Sequence, residues 1–184
     1  MCPVEREPAS PFSYETEELS KILKEKPLSS GTGRDVYEYR DIMVIKIPKN
    51  RKRKNIMERK LLEQQNRVEL WVYRECPEEI KDIVCPVRFH SFHLGEPVLV
   101  TPKLSTLGVM ASDRYRRLAE GNTCLSYIYN DEGFSGYGEM ERKTKRLCEL
   151  FELDYKDLVN NPLNWGILRD RVVYIDYGYR RKLL

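Results

Sequence analysis

The stretch VYEYRDIMVIKIP (Val36–Pro48) decides how the first half of the chain is read. Val36, Tyr37 and Tyr39 favour extended backbone, Arg40-Asp41 breaks the run, and IMVIKI resumes it. The pattern predicts two strands joined by a tight turn, the second ending at Pro48. Side chains alternate across a strand, so with Ile45 and Ile47 toward a core, Lys46 points to the opposite face. A lysine placed there is either a snorkelling surface residue or a held cation.

Working outward, SSGTG (Ser29–Gly33) precedes the strands. It is a compact turn whose backbone N–H groups suit a phosphate, although such a turn by itself is ordinarily only a turn. Further back, SYETEELSKILKEK has apolar or aromatic residues at 14, 19, 22 and 23. That spacing predicts a helix with Ser13 as its cap, preceded by a loose, proline-bearing arm over residues 1–12. After the strands a long helix is predicted from Ile56 to Arg74, with Leu61, Leu62, Val68, Trp71 and Val72 on its apolar face and Pro77 closing it. Glu69 lies inside this helix, where it can partner Lys46.

IVCPVRF (Ile83–Phe89) and PVLVTPKL (Pro97–Leu104) read as an antiparallel pair of strands with a turn at Leu94–Pro97. The second half is mainly helical, with predicted segments at SDRYRRLAE (Ser112–Glu120) and from Cys124 onward, the latter interrupted at GFSGYG, then a helix over Glu139–Phe151. VNNPLN reads as a loop, and WGIL and RVVYIDYG flank Arg169–Arg171 as a short hairpin. The fold class is therefore α+β, with a mainly sheet part before a mainly helical one and a crevice between them as a natural ligand site.

Composition sets the outer limits. The 184 residues are 41% hydrophobic and 33% charged, and carry a formal charge of +3. No run approaches the roughly 18 apolar residues of a membrane span. The N-terminus lacks a basic segment followed by an apolar one, so no signal peptide is expected. Five scattered cysteines, an odd number, fit reduced thiols and a cytoplasmic setting in the producing or a host cell. KNRKRKN (Lys49–Asn55) has five basic residues in seven, suited to phosphates, an acidic partner or simple solvation. The net charge does not demand nucleic acid, and the tyrosines of SYIYNDEGFSGYG fit packing better than base stacking. A zinc site from Cys76, Cys85, His90 and His93 is disfavoured, because alternation sends the two histidines to opposite sides and Cys76 lies beyond a proline.

Polar residues placed at strand ends carry the chemistry. Asn164 precedes WGI, and Asp176 follows VVYI; amide and carboxylate oxygens together suit a hard cation such as magnesium. In this order the motifs resemble those of the protein-kinase-like family, in a minimal form similar to small phage-encoded or bacterial-effector kinases, over about residues 28 to 179. LSSGTGRDVY resembles the glycine-rich loop, VIK the strand carrying the phosphate-binding lysine, and DYG the metal-binding Asp-Phe-Gly motif. The resemblance implies a two-lobe fold. A flexible arm (1–12) would precede an N-terminal lobe (13–101), followed by a truncated, mainly helical C-terminal lobe (102–184).

It also implies roles. Lys46 would hold the α and β phosphates of ATP, and Glu69 would orient it. Ser30, Gly31, Thr32 and Gly33 would approach phosphate. Thr101 and Lys103 would flank the base at the hinge. Asn164 and Asp176 would hold Mg²⁺. The implied activity is an ATP- and magnesium-dependent phosphotransferase directed at Ser or Thr of a protein.

The departures from the family pattern leave an alternative. Ser29, Gly31 and Arg34 stand at the three glycine positions, so Arg34 either reaches phosphate or caps the site. Val159 stands where the catalytic aspartate belongs, and Asp157, seven residues before Asn164, serves as base only if a bulge brings it in; Asp154 is a poorer candidate. Six residues follow Gly178, with no activation segment or Ala-Pro-Glu-like motif. The alternative is a pseudokinase that binds and modulates a partner protein, with nucleotide structural or absent. On either reading a protein is the expected partner, as substrate or activator.

Overall fold

Residues 11–31, 33–49, 60, 64–106, 125, 126, 129 and 134–180 are described in a computed structural model of the protein. They form a mixed α+β arrangement built on a five-stranded antiparallel sheet. Its strands are β1 (Ser29–Ser30), β2 (Arg34–Tyr39), β3 (Met43–Pro48), β4 (Arg88–His93) and β5 (Glu96–Pro102), in the order β1-β2-β3-β5-β4. A second, three-stranded sheet comprises β6 (Ser105–Thr106), β7 (Trp165–Leu168) and β8 (Arg171–Tyr174).

Register decides which side chains share a face. Lys46 pairs with Val36 and Leu99, and Val44 with Glu38 and Thr101, so these residues look one way. Ile45 and Ile47 look the other way and join Tyr37, Tyr39, Val98 and Val100 in an apolar layer. Helix α1 (Pro11–Ile22) seals that layer with Leu19 and Ile22. Ser13 lies inside this helix and not at its cap.

Helix α2 (Gln65–Glu75) lies against β5 on the Lys46 face. Val68 and Val72 are fully buried one turn apart, beside buried Asn66 and Glu69. It ends where Cys76 turns extended ahead of Pro77. The predicted helix over 56–74 is thus described from Gln65; Ile56, Leu61 and Leu62 lie outside the described residues, as do 112–120 and most of 124–133. A larger apolar cluster continues from α2 through the short α3 (Glu78–Lys81) and Ile83–Val87 to α4 (Tyr137–Phe151), α5 (Tyr155–Asn160) and the β7–β8 hairpin. On α4, Met140, Thr144, Leu147 and Phe151 are buried at helical spacing.

Two expectations are corrected. The strand expected over Ile83–Phe89 begins only at Arg88, because Ile83 and Cys85 pair with Tyr174 of β8: Tyr174 N donates to Ile83 O and Cys85 N to Tyr174 O, both at 2.8 Å. VNNPLN is not a loop. Val159 and Asn160 end α5, and Pro162–Asn164 form a 3₁₀ turn in which the Leu163 N–H donates to the Asn161 side chain. Both hairpins β4–β5 and β7–β8 close with two residues in the left-handed region, Leu94-Gly95 and Arg169-Asp170. Among the described residues no helix is long and apolar enough to cross a membrane.

Candidate functional site

Glu69 is the centre of the site. Its carboxylate is completely buried, a costly state unless charge and hydrogen bonds compensate it. Lys46 Nζ donates to Oε2 at 2.8 Å, the Arg34 guanidinium donates to Oε1, and the Tyr177 backbone N–H donates to Oε1 at 3.2 Å. β3 places Lys46 on the face toward α2, and α2 presents Glu69 one turn beyond Asn66 to meet it. Lys46 Nζ also donates to the carbonyl of Ile175, immediately before Asp176.

Asp176 follows the end of β8. Its Oδ1 lies 2.7 Å from Arg34 Nη2, and its side chain remains 40% exposed. Burial pushes its carboxyl upward, but Arg34 and Lys46 outweigh this and hold it below the ordinary aspartate value. The same carboxylates raise the Arg34 guanidinium against the opposing effect of burial.

Asn164 reaches the same place from the other strand of the hairpin. Its carbonyl accepts Ile175 N at 2.7 Å and Asp176 N at 3.3 Å. Its side-chain Nδ2 donates to Asp157 Oδ2 and Asp157 O, both at 3.0 Å, while Oδ1 accepts from Asn161 Nδ2 at 3.2 Å. Asp157 stands in the first turn of α5, which Asp154 caps by accepting Asp157 N. A helix and a 3₁₀ turn, not a bulge, therefore bring Asp157 to Asn164, and the Asp154 side chain is committed to the cap. Burial raises the Asp157 carboxyl above its ordinary value; the Asn164 hydrogen bond opposes this and the Asp176 charge adds to it.

Lys46, Glu69, Asp157, Asn164 and Asp176 are thus linked in one hydrogen-bonded cluster, through Ile175 and the Asn164 carbonyl. Thr101 lies on the Lys46 face of the sheet, with Val36 and Val44 as half-buried neighbours on that face. Lys103, directly after β5, is ion-paired with Glu38. In the loop before β2, Gly31 N donates to Arg34 O at 3.0 Å, so that N–H is already satisfied. Lys49 folds beneath the loop, donating to Ser30 Oγ and, at 3.2 Å, to Gly31 O. Gly33 is buried and accepts Lys49 N at 2.9 Å. Thr32 lies outside the described residues.

Residues beyond those singled out from the sequence complete the cluster. Asn66 is almost wholly buried and gives both amide hydrogens to carbonyls, Lys46 O at 2.9 Å and Pro97 O at 2.8 Å. Its Oδ1 is thereby turned to Arg34, which donates to it at 2.7 Å. Helical spacing from Glu69 was the available signal for Asn66. Tyr177 is buried and donates through its hydroxyl to Cys85 O at 2.8 Å. Gly178 passes so close to α2 that an added Cβ would lie 2.3 Å from Gln65 O.

Among the described residues no three His, Cys, Asp or Glu side chains are grouped to hold a metal. Asn164 and Asp176 instead offer an amide oxygen and a carboxylate, a complement that fits a magnesium ion sharing its shell with water and phosphate. Arg34 already takes one Asp176 oxygen. A separate cavity of about 340 Å³, between Asp82, Met140, Lys143 and Arg171, shares no residue with the cluster, and its Lys143 ammonium is neutralised by Asp82 at 2.8 Å. Comparison with family models, with curated proteins and with solved structures finds no match to this chain.

Proposed function

We propose that the protein is a minimal, two-lobe protein-kinase-like phosphotransferase that uses ATP and Mg²⁺, with a protein hydroxyl as acceptor. The observation that carries this reading is the buried Lys46–Glu69 ion pair joined through Ile175 to Asp176 and Asn164. Lysine on the third strand, glutamate on the following helix and an aspartate after a hairpin make up the phosphate-holding arrangement of kinases. The five-stranded sheet with α2 would form one lobe. The elements from β6 to the β7–β8 hairpin would belong to the other.

In this reading Lys46 fixes the α and β phosphates, and Glu69 fixes Lys46. Val36 and Val44 give the nucleoside an apolar bed beside Thr101. A magnesium ion held by Asp176 and Asn164 would neutralise charge on the phosphate oxygens. Asp157 accepts the proton of the acceptor hydroxyl as its oxygen bonds to the γ-phosphorus. The bond from that phosphorus to the β–γ bridging oxygen breaks, and ADP leaves with the electron pair.

A second reading, a nucleotide-binding pseudokinase acting on a partner protein, is favoured by two contacts. Arg34 is paired with the proposed metal carboxylate, and the Asn164 amide oxygen already accepts from Asn161 Nδ2 at 3.2 Å. Labelled ATP with magnesium and a generic protein acceptor separates the readings. Incorporation lost in both Lys46→Ala and Asp176→Ala supports the enzyme. Magnesium-dependent stabilisation by nucleotide without incorporation supports the binder with structural nucleotide, and neither response rejects the enzyme and leaves only a partner-binding protein without nucleotide.

A further inference from the structure

The kinase-like reading leaves Arg34 between two tasks, reaching phosphate or capping the site, and the fold builds a receptor for it. Arg34 opens β2 directly after the glycine-bearing loop, and its side chain is only 5% exposed. Asn66, Glu69 and Asp176 each accept from it, and Asn66 is locked in the accepting orientation by its own two carbonyl partners. Among the directly ion-paired groups Lys46 and Arg34 balance Glu69 and Asp176, two charges against two, with the Asp157 carboxylate lying beyond Asn164. A free divalent ion reaching Asp176 would upset that balance and meet a guanidinium 2.7 Å from Oδ1. A divalent ion arriving on a polyphosphate brings its own negative charge, which Arg34 and Lys46 can share.

We propose that Arg34 is a resident cation that bars free divalent metal from Asp176, so that the cleft takes such an ion only as its polyphosphate complex. This makes Arg34 a specificity-determining residue, and it rests on reading Asp176 as the metal carboxylate. Arg34 need not leave the cleft to admit the complex. Releasing Asp176 still leaves it Asn66 and Glu69, and its position next to the loop lets it face the incoming phosphates.

The test is Mn²⁺ binding in the absence of nucleotide, followed by the paramagnetic signal of the free ion. The wild type should bind Mn²⁺ weakly. Arg34→Gln should bind it at least about tenfold more tightly, the size of an ordinary coupling between two ligands of one group. Arg34→Gln/Asp176→Asn should lose that gain. Equal affinity in wild type and Arg34→Gln, or a gain that survives Asp176→Asn, overturns the proposal. Should Arg34→Gln not fold, the wild type carries the test through the Arg34 guanidinium resonances. These should stay in place with Mg²⁺ alone and move with Mg²⁺ plus inorganic triphosphate; movement with Mg²⁺ alone, or none with the triphosphate, refutes it. The Mn²⁺ arms contain no nucleotide, so a failure here is separate from a failure of ATP transfer.

Discussion

The Lys46 ammonium donates to the backbone carbonyl of Ile175, a residue 129 positions further along the chain. This contact fixes the lysine of one sheet beside the carboxylate that follows the last strand of the other. It makes Lys46 and Asp176 parts of a single electrostatic unit.

Removing Glu69 strands two buried cations. Glu69→Ala should destabilise the fold by about 3–5 kcal/mol, the usual cost of breaking a buried ion pair from one side. Glu69→Gln, which keeps volume and an acceptor, should cost less. Urea midpoints at constant m-value measure the difference.

At Gly178 the neighbour is backbone, which cannot swing aside. An alanine Cβ would lie 2.3 Å from Gln65 O, so Gly178→Ala must push the start of α2 away from the Asp-Tyr-Gly segment. A loss of about 1–3 kcal/mol is expected from such overpacking. Glu69 rides on α2, so stabilisation by nucleotide should fall as well. Thermal melts with and without Mg²⁺ and ATP report both quantities.

Asp157 has its carboxyl raised in the folded protein, chiefly by burial. In its proposed role as base it would work only when ionised, so the acid limb of the transfer rate should lie above the ordinary aspartate range. Asp157→Asn should abolish transfer and leave nucleotide binding in place. A pH–rate profile with paired binding curves checks both; full transfer by the variant removes Asp157 as base.

Asp176 shifts in the opposite direction. Its folded value is depressed, so its contribution to stability is complete above the unfolded value of about 3.9 and vanishes as pH falls through the folded value. Asp157 has the reverse sign: the folded state holds its proton more firmly, so its effect weakens stability as pH rises from the unfolded to the folded value. Asp176→Asn should therefore flatten the acid side of the stability curve, and Asp157→Asn should steepen it.

Much of this architecture was legible in the sequence wherever period and parity agree. The alternation about Lys46 placed it opposite Ile45 and Ile47, and β3 has that geometry. The hairpin around Arg169-Asp170 was read from polar residues between two apolar runs, and β7 and β8 form it. The strand expected at Ile83 failed because backbone pairing with Tyr174 is long-range and leaves no local pattern. α5 was missed because it is one short turn-and-a-half capped by Asp154, and the following Pro162 reads as a loop signal. Strand parity could have placed Arg34 beside Lys46, since its register partner is Pro48, two residues on. No local signal says that three acceptors await it.

The Tyr177 hydroxyl closes on the carbonyl of Cys85 across 92 positions, and the Tyr174 backbone clasps Ile83 and Cys85. A nascent chain that has emerged only through β5 thus lacks the segment that covers this part of its core. Synthesis runs from the N-terminus, so Ile83 to Val87 must wait, with apolar surface bare, until residue 177 leaves the ribosome. Contacts that span so much chain also slow closure, which makes this interval the time when a chaperone is most needed.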